Sequence, residues 1–220
     1  MSDYAPTART TLHRRPARAA YDRDTVHAIL DEALVCHLGF AVDGQPFVLP
    51  TTFAREGERL VVHGAAAGRL MRHLAGGAPA CLTVTLLDGL VLARTAFHHS
   101  MNYRSVVVLG TAREIVDRTE KRAAVAAIVD KVSPGRSQRA RPPNDKEIDA
   151  TAVLSLPIAE VSAKIRSGPP LDGPEDAAIP VWAGVLPLAL AAGRLEPDGP
   201  GGLGFEEPER PAGLLHLATR

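Results

Sequence analysis

Cysteine is scarce. The 220 residues contain two, Cys36 and Cys81, each inside an apolar run. Their spacing suits neither a zinc site nor a redox pair, which leaves both as small buried hydrophobes in a reducing compartment. Aromatic residues make up only 4% of the chain, and tryptophan occurs once, at Trp182. Neither sign of charge is in excess: 25 Lys and Arg meet 25 Asp and Glu, for a formal net charge of +0. Without a global basic field, nucleic acid and anionic membrane surfaces are poor partners. No apolar stretch approaches the ~20 residues of a membrane span. The opening "MSDYAPTARTTLHRRPARAA" carries charges but lacks the apolar core of a secretion signal, so a cytoplasmic location is expected. Also missing are a glycine-rich dinucleotide turn after a strand, a phosphate loop, a GxSxG elbow and an HExxH pair. Their absence leaves a binding protein, or one whose chemistry is carried by a cofactor.

What is present is an ordinary globular composition, 45% hydrophobic and 23% charged. Three regions stand out: a basic N-terminal arm over 1–20, one domain over 21–192, and a Pro/Gly-rich tail over 193–220 that reads as poorly ordered. Asp22 or Asp24 caps a first helix whose Val26, Ile29, Leu30, Ala33 and Leu34 form one stripe. "CHLGFAV" and "PFVLPTTF" then flank Asp43-Gly44 as a hairpin, and "RLVVHG" is a third strand. "APACLTVTLL" and "LVLARTAF" read as strands turned at Asp88-Gly89, followed by a long strand over 103–116. A helix over 119–132 has Ala124, Val125, Ile128, Val129 and Val132 as its buried side. Short hairpin-linked strands outnumber the helices. That pattern predicts a mainly β fold, an antiparallel barrel or curved sheet with peripheral helices.

Two stretches carry chemistry. "HHSMNYRSVVVLG", residues 98–110, crowds hydrogen-bonding groups at the mouth of an apolar strand. If His98 and His99 lie on that strand they point to opposite faces and do not close on one metal ion, so no metal site is expected. In "VVHGAAAGRLMRHL", residues 61–74, a strand ends at His63-Gly64 and a helix begins near Gly68-Arg69. Small residues there permit close backbone approach to a ligand, and Arg69 in the first helical turn suits a phosphate.

These two blocks, with "PTTF" and "PVWAGVLPL", resemble the pyridoxamine phosphate oxidase superfamily. The likeness is greatest to the small flavin-nucleotide-binding branch related to nitroimidazole-resistance reductases, and it runs over roughly residues 10–190. The resemblance implies an FMN-binding split β-barrel and a homodimer with the cofactor at its interface. It implies that Pro50, Thr51 and Thr52 run beside the flavin ring, and that His63 and Gly64 lie beside the ring and ribityl chain. It implies Arg69 on the phosphate, Ser105 in polar contact with the flavin, and Asn102, Tyr103 and Arg104 bordering it. Trp182 corresponds to an aromatic that approaches the flavin from the other subunit. The chain departs from the oxidase where Leu70 replaces a basic residue and where the phosphate turn is Ala65-Ala66-Ala67, which implies weaker phosphate capture.

The expected function is an FMN-dependent oxidoreductase acting on a small electrophilic or aromatic substrate, with His99, Tyr103 and Trp182 lining the substrate side. The alternative is a non-catalytic protein that binds or senses flavin, haem or a deazaflavin.

Overall fold

The computed structural model describes residues 2–199, 207–211 and 213–216. A 3-10 turn, Pro16–Arg18, leads into β1 (Ala19–Ala20) and α1 (Arg23–Glu32). The Asp22 side chain caps α1 by accepting the Thr25 N–H at 2.9 Å. At the other end the Lys131 ammonium donates to the carbonyls of Leu30, at 3.0 Å, and Asp31, occupying acceptors that a helix end leaves free.

The antiparallel strands follow. β2 (Val35–Val42) and β3 (Gln45–Glu56) are joined at Asp43-Gly44, where both φ angles are positive, 51° and 79°, as a two-residue hairpin turn requires. β4 (Arg59–Ala65) precedes α2 (Arg69–Ala75). Next come β5 (Pro79–Leu92), β6 (Ser100–Thr111) and β7 (Arg113–Glu114). The helices α3 (Arg118–Val132), α4 (Arg136–Arg139) and α5 (Asp145–Ala150) follow. Then come β8 (Thr151–Pro157) and β9 (Glu160–Arg166), which are consecutive but join opposite halves of the sheet, the outlying β10 (Gly184–Pro187), and the small parallel pair β11 (Ala191–Ala192) and β12 (Leu215–His216).

The main sheet runs β1-β9-β6-β5-β2-β3-β4-β8-β7, with β10 added on β5. β3 is its corner. Residues 45–52 pair with β2, and Phe53–Glu56 pair with β4, so the ladder passes from one half to the other. The terminal strands β1 and β7 do not pair, and the sheet stays open as a split barrel. Val26, Ile29 and Leu30 of α1 pack inside it against Phe53, Leu82, Val106 and Leu154. Phe53 is fully buried, and truncating it to alanine costs about 3–5 kcal/mol. A smaller cluster lies under α3, where Ala124 and Ile128 meet Ala54, Val61 and Val153.

Three expectations are corrected. Asp88-Gly89 is not a turn: β5 runs through it with a bulge, the register against β6 shifting between Leu87 and Gly89. β10 holds it extended by pairing Pro187 with Gly89, where an added Cβ would stand 3.0 Å from the Leu186 carbonyl oxygen. The strand placed over 103–116 begins at Ser100 and is broken at Ala112. The α3 stripe is wider than its core contact: Val125 and Val129 are half-buried and Val132 is exposed.

The N-terminal arm lies against the domain. Tyr4 is buried and donates to Glu58 at 2.7 Å, Thr10 is buried, and Arg9 pairs with Glu160. The expectation for the tail over 193–220 falls partly outside the described residues.

Candidate functional site

Alternation along β3 and β4 builds the first cavity. Phe53 and Val62 are register partners facing the barrel core. Their neighbours Ala54 and Val61 face the other way and are covered by α3. Thr52 and His63 share that outer face one step further along, where only the last turns of α3 reach over them. The result is a cavity of about 490 Å³, the size of many small-ligand sites. Val125, Val129 and Val132 form its apolar wall, and Ser133 and Arg136 add polar groups. The His63 side chain is exposed and forms no hydrogen bond among the described residues, so its imidazole is available to a ligand.

The polar stretch before the β6 core is used mostly within the chain. Asn102 is buried; its amide donates to the Gly168 carbonyl at 3.2 Å, and its Oδ1 accepts from Arg166. Arg104 donates to Asp88 at 2.8 and 3.0 Å and to Glu32 at 2.8 Å. Those carboxylates raise its pKa, Glu32 most strongly. Ser105 donates to the Lys164 carbonyl at 3.3 Å, and Tyr103 is half-buried. His98 ends a 3-10 turn (Ala96–His98) rather than a strand, and His98 and His99 line one cavity.

The remaining candidate residues are spread out. Pro50 is exposed on β3, and Thr51 donates to the Thr52 carbonyl at 3.3 Å. Gly64 allows close packing, since a Cβ there would stand 3.0 Å from Met71 Cγ. Arg69 is exposed, its guanidinium 5.2 Å from the centre of the Phe47 ring, and it lines neither of the two cavities just named. Trp182 is 66% exposed and lies against the Gly184 backbone. Thus the structure unites Thr52 with His63 and separates them from Arg69 and the Asn102–Ser105 stretch. Sequence reasoning missed Ser133 and Arg136. The available signal was an apolar stripe on α3 too long for its core, running straight into them.

Burial raises the Cys36 pKa to about 12 and also raises that of Cys81; neither thiol is paired. Among the described residues, no three His, Cys, Asp or Glu side chains gather as a metal site. No helix among the described residues is long and apolar enough to cross a membrane.

A family model described as pyridoxamine 5'-phosphate oxidase matches residues 22–165. The chain belongs to the pyridoxamine 5'-phosphate oxidase family. The split barrel is in keeping with that membership. Among solved structures, the flavocytochrome Anf3 from Azotobacter vinelandii is 48% identical, over 94% of this chain and 96% of that one, with a TM-score of 0.87. A FAD and haem binding protein from Mycobacterium smegmatis is 36% identical, over 87% and 94%, with a TM-score of 0.83. A structure described as a 5-nitroimidazole antibiotic resistance protein from Bacteroides thetaiotaomicron is 24% identical, over 67% and 86%, with a TM-score of 0.57, a likeness of fold. No curated protein matches the chain.

Proposed function

We propose that this family member is a flavin-binding redox protein whose ring site is the cavity under α3. The observation that carries this reading is the meeting of Thr52 and His63, two of the positions expected beside a flavin ring, beneath an apolar wall. A flavin ring needs an apolar surface for its faces and a few polar groups at its rim, and this lining has both. Val125, Val129 and Val132 exclude water from the ring. Thr52 and His63 present hydrogen-bonding groups to its edge, and Arg136 places a positive charge at the cavity. The flavin supplies electron transfer; the chain binds and orients it and shields it from solvent.

FMN, as the resemblance implies, and FAD share that ring. Likeness to a flavocytochrome and to a FAD and haem binding protein favours FAD, with haem as a second redox group. A second reading follows from His63: an unpartnered imidazole on an apolar wall, with Arg136 available to a carboxylate, equally suits haem. In that case the flavin ring lies elsewhere. We further propose a cytoplasmic homodimer with the site at its interface, acting on a small electrophilic or aromatic substrate. Val48, 63% exposed, Phe97, Met101 and Trp182 supply the exposed apolar surface for that interface.

The test is the absorbance spectrum of the purified protein, and of His63→Ala, before and after incubation with FMN, FAD and haem. A flavin band whose fine structure changes in the variant supports the ring site. A Soret band that shifts or vanishes in the variant favours the haem reading. A protein with no chromophore that acquires none would overturn both.

A further inference from the structure

A second cavity, of about 520 Å³, lies where the N-terminal arm meets β9. Lys164 and Arg166 are two residues apart and share one face of β9. β1 pairs Ala19 with Lys164, and this brings Arg14, Arg15 and Arg18 over the same face. Five cationic side chains thus line one cavity in a chain of net charge +0, with His98 and His99 on its rim and no carboxylate in its lining.

The arm does not present these arginines loosely. Thr10 is buried before them, the Tyr21 hydroxyl donates to the Thr10 carbonyl at 2.9 Å, and β1 is paired after them. Arg15 takes a left-handed conformation, φ 61° and ψ 57°, uncommon for a residue with a side chain.

Arg166 is 5% exposed. Its Nη atoms donate to neutral acceptors, Asn102 Oδ1 and the carbonyls of Gly168 and Pro169, the carbonyl bonds being 3.1 Å each. Its Nε is buried and has no partner among the described residues. Asp172, the carboxylate that interacts with His98, already accepts the Arg94 N–H at 2.9 Å and the Thr95 N–H at 3.3 Å. The side chains of Arg14, Arg15, Arg18 and Lys164 form no ion pair among the described residues. A desolvated guanidinium with like charges around it is unfavourable unless an anion completes it.

We propose that this cavity is an anion subsite that takes the phosphate groups of a phosphorylated ligand. Forked guanidinium donors and a lysine suit phosphate oxygens, and the volume admits a diphosphate. Two sources share that chemistry: the diphosphate of a dinucleotide flavin, which rests on the function proposed above, and a separate phosphorylated molecule, which does not.

Pyrophosphate is the probe. It binds the full-length protein in calorimetry, and its affinity falls steeply with salt. Arg18→Ala and Lys164→Ala each weaken it by about tenfold, with unchanged circular dichroism. Both side chains are outside the core, so the variants fold. FMN and FAD titrations then separate the sources. If the phosphates are the flavin's own, both variants weaken FAD but not FMN, and pyrophosphate competes with FAD. If they belong to another molecule, neither flavin is affected and pyrophosphate binds the flavin-loaded protein equally well. Failure of pyrophosphate to bind at low salt, or equal binding to the wild type and both variants, overturns the subsite while leaving the flavin reading intact.

Discussion

Two arginines on neighbouring strands have opposite surroundings. Arg104 on β6 sits between Glu32 and Asp88, both about one-third exposed, and its charge is balanced from within the chain. Arg166 on β9, opposite Tyr103, is more deeply buried and bonds only neutral oxygens, with Arg18 repelling it. Desolvation, reinforced by Arg18, pushes its pKa down. A charge neutralised by its own fold is part of the scaffold. A charge left uncompensated in a cavity is where an outside anion gains most on binding.

The sharpest way to break this contrast is to remove each guanidinium. Arg104→Ala leaves Glu32 and Asp88 with no cation between them and costs about 2 kcal/mol, measured by urea unfolding. Arg166→Met costs less despite deeper burial, about 1 kcal/mol, because lost hydrogen bonds are offset by relief of a desolvated charge. Equal or reversed costs would dissolve the comparison.

Acid titration sharpens it further. Backbone N–H groups of Arg94 and Thr95 hold the Asp172 carboxyl below the usual aspartate range, the Arg94 bond contributing most. Its stabilising effect is therefore full above the ordinary pKa of ~3.9 and is lost as pH falls through the lowered value. Asp172→Asn should melt below wild type at neutral pH, and the two melting curves should converge in strong acid. The smallest effect is expected for Arg18→Ala without ligand: a slight rise in melting temperature as repulsion of Arg166 is removed, reversed in sign when pyrophosphate is present.

The hairpin at Asp43-Gly44, the α1 cap at Asp22 and the existence of α3 were legible because each rests on neighbours a few residues apart. Asp88-Gly89 was misread for a related reason. Its dipeptide favours a turn, but pairing with β10, almost a hundred positions later in the chain, keeps the backbone extended. Of the candidate site, Thr52 and His63 come together as neighbours on one sheet face. The pairing of Arg104 with Glu32 was not legible, because the two are 72 positions apart. The basic cavity was invisible because Arg14, Arg15 and Arg18 read as a solvated arm until β1 pairs with β9.

Sequence alone determined that this chain makes short antiparallel strands and a few capped helices, since alternation and turn chemistry are local properties of the chain; the split form of the barrel was implied by the family resemblance. Tertiary structure decided which charges are balanced and which are not. Compensation depends on distance in space, and the groups that neutralise or repel Arg104 and Arg166 are brought beside them only when strands remote in the chain become neighbours.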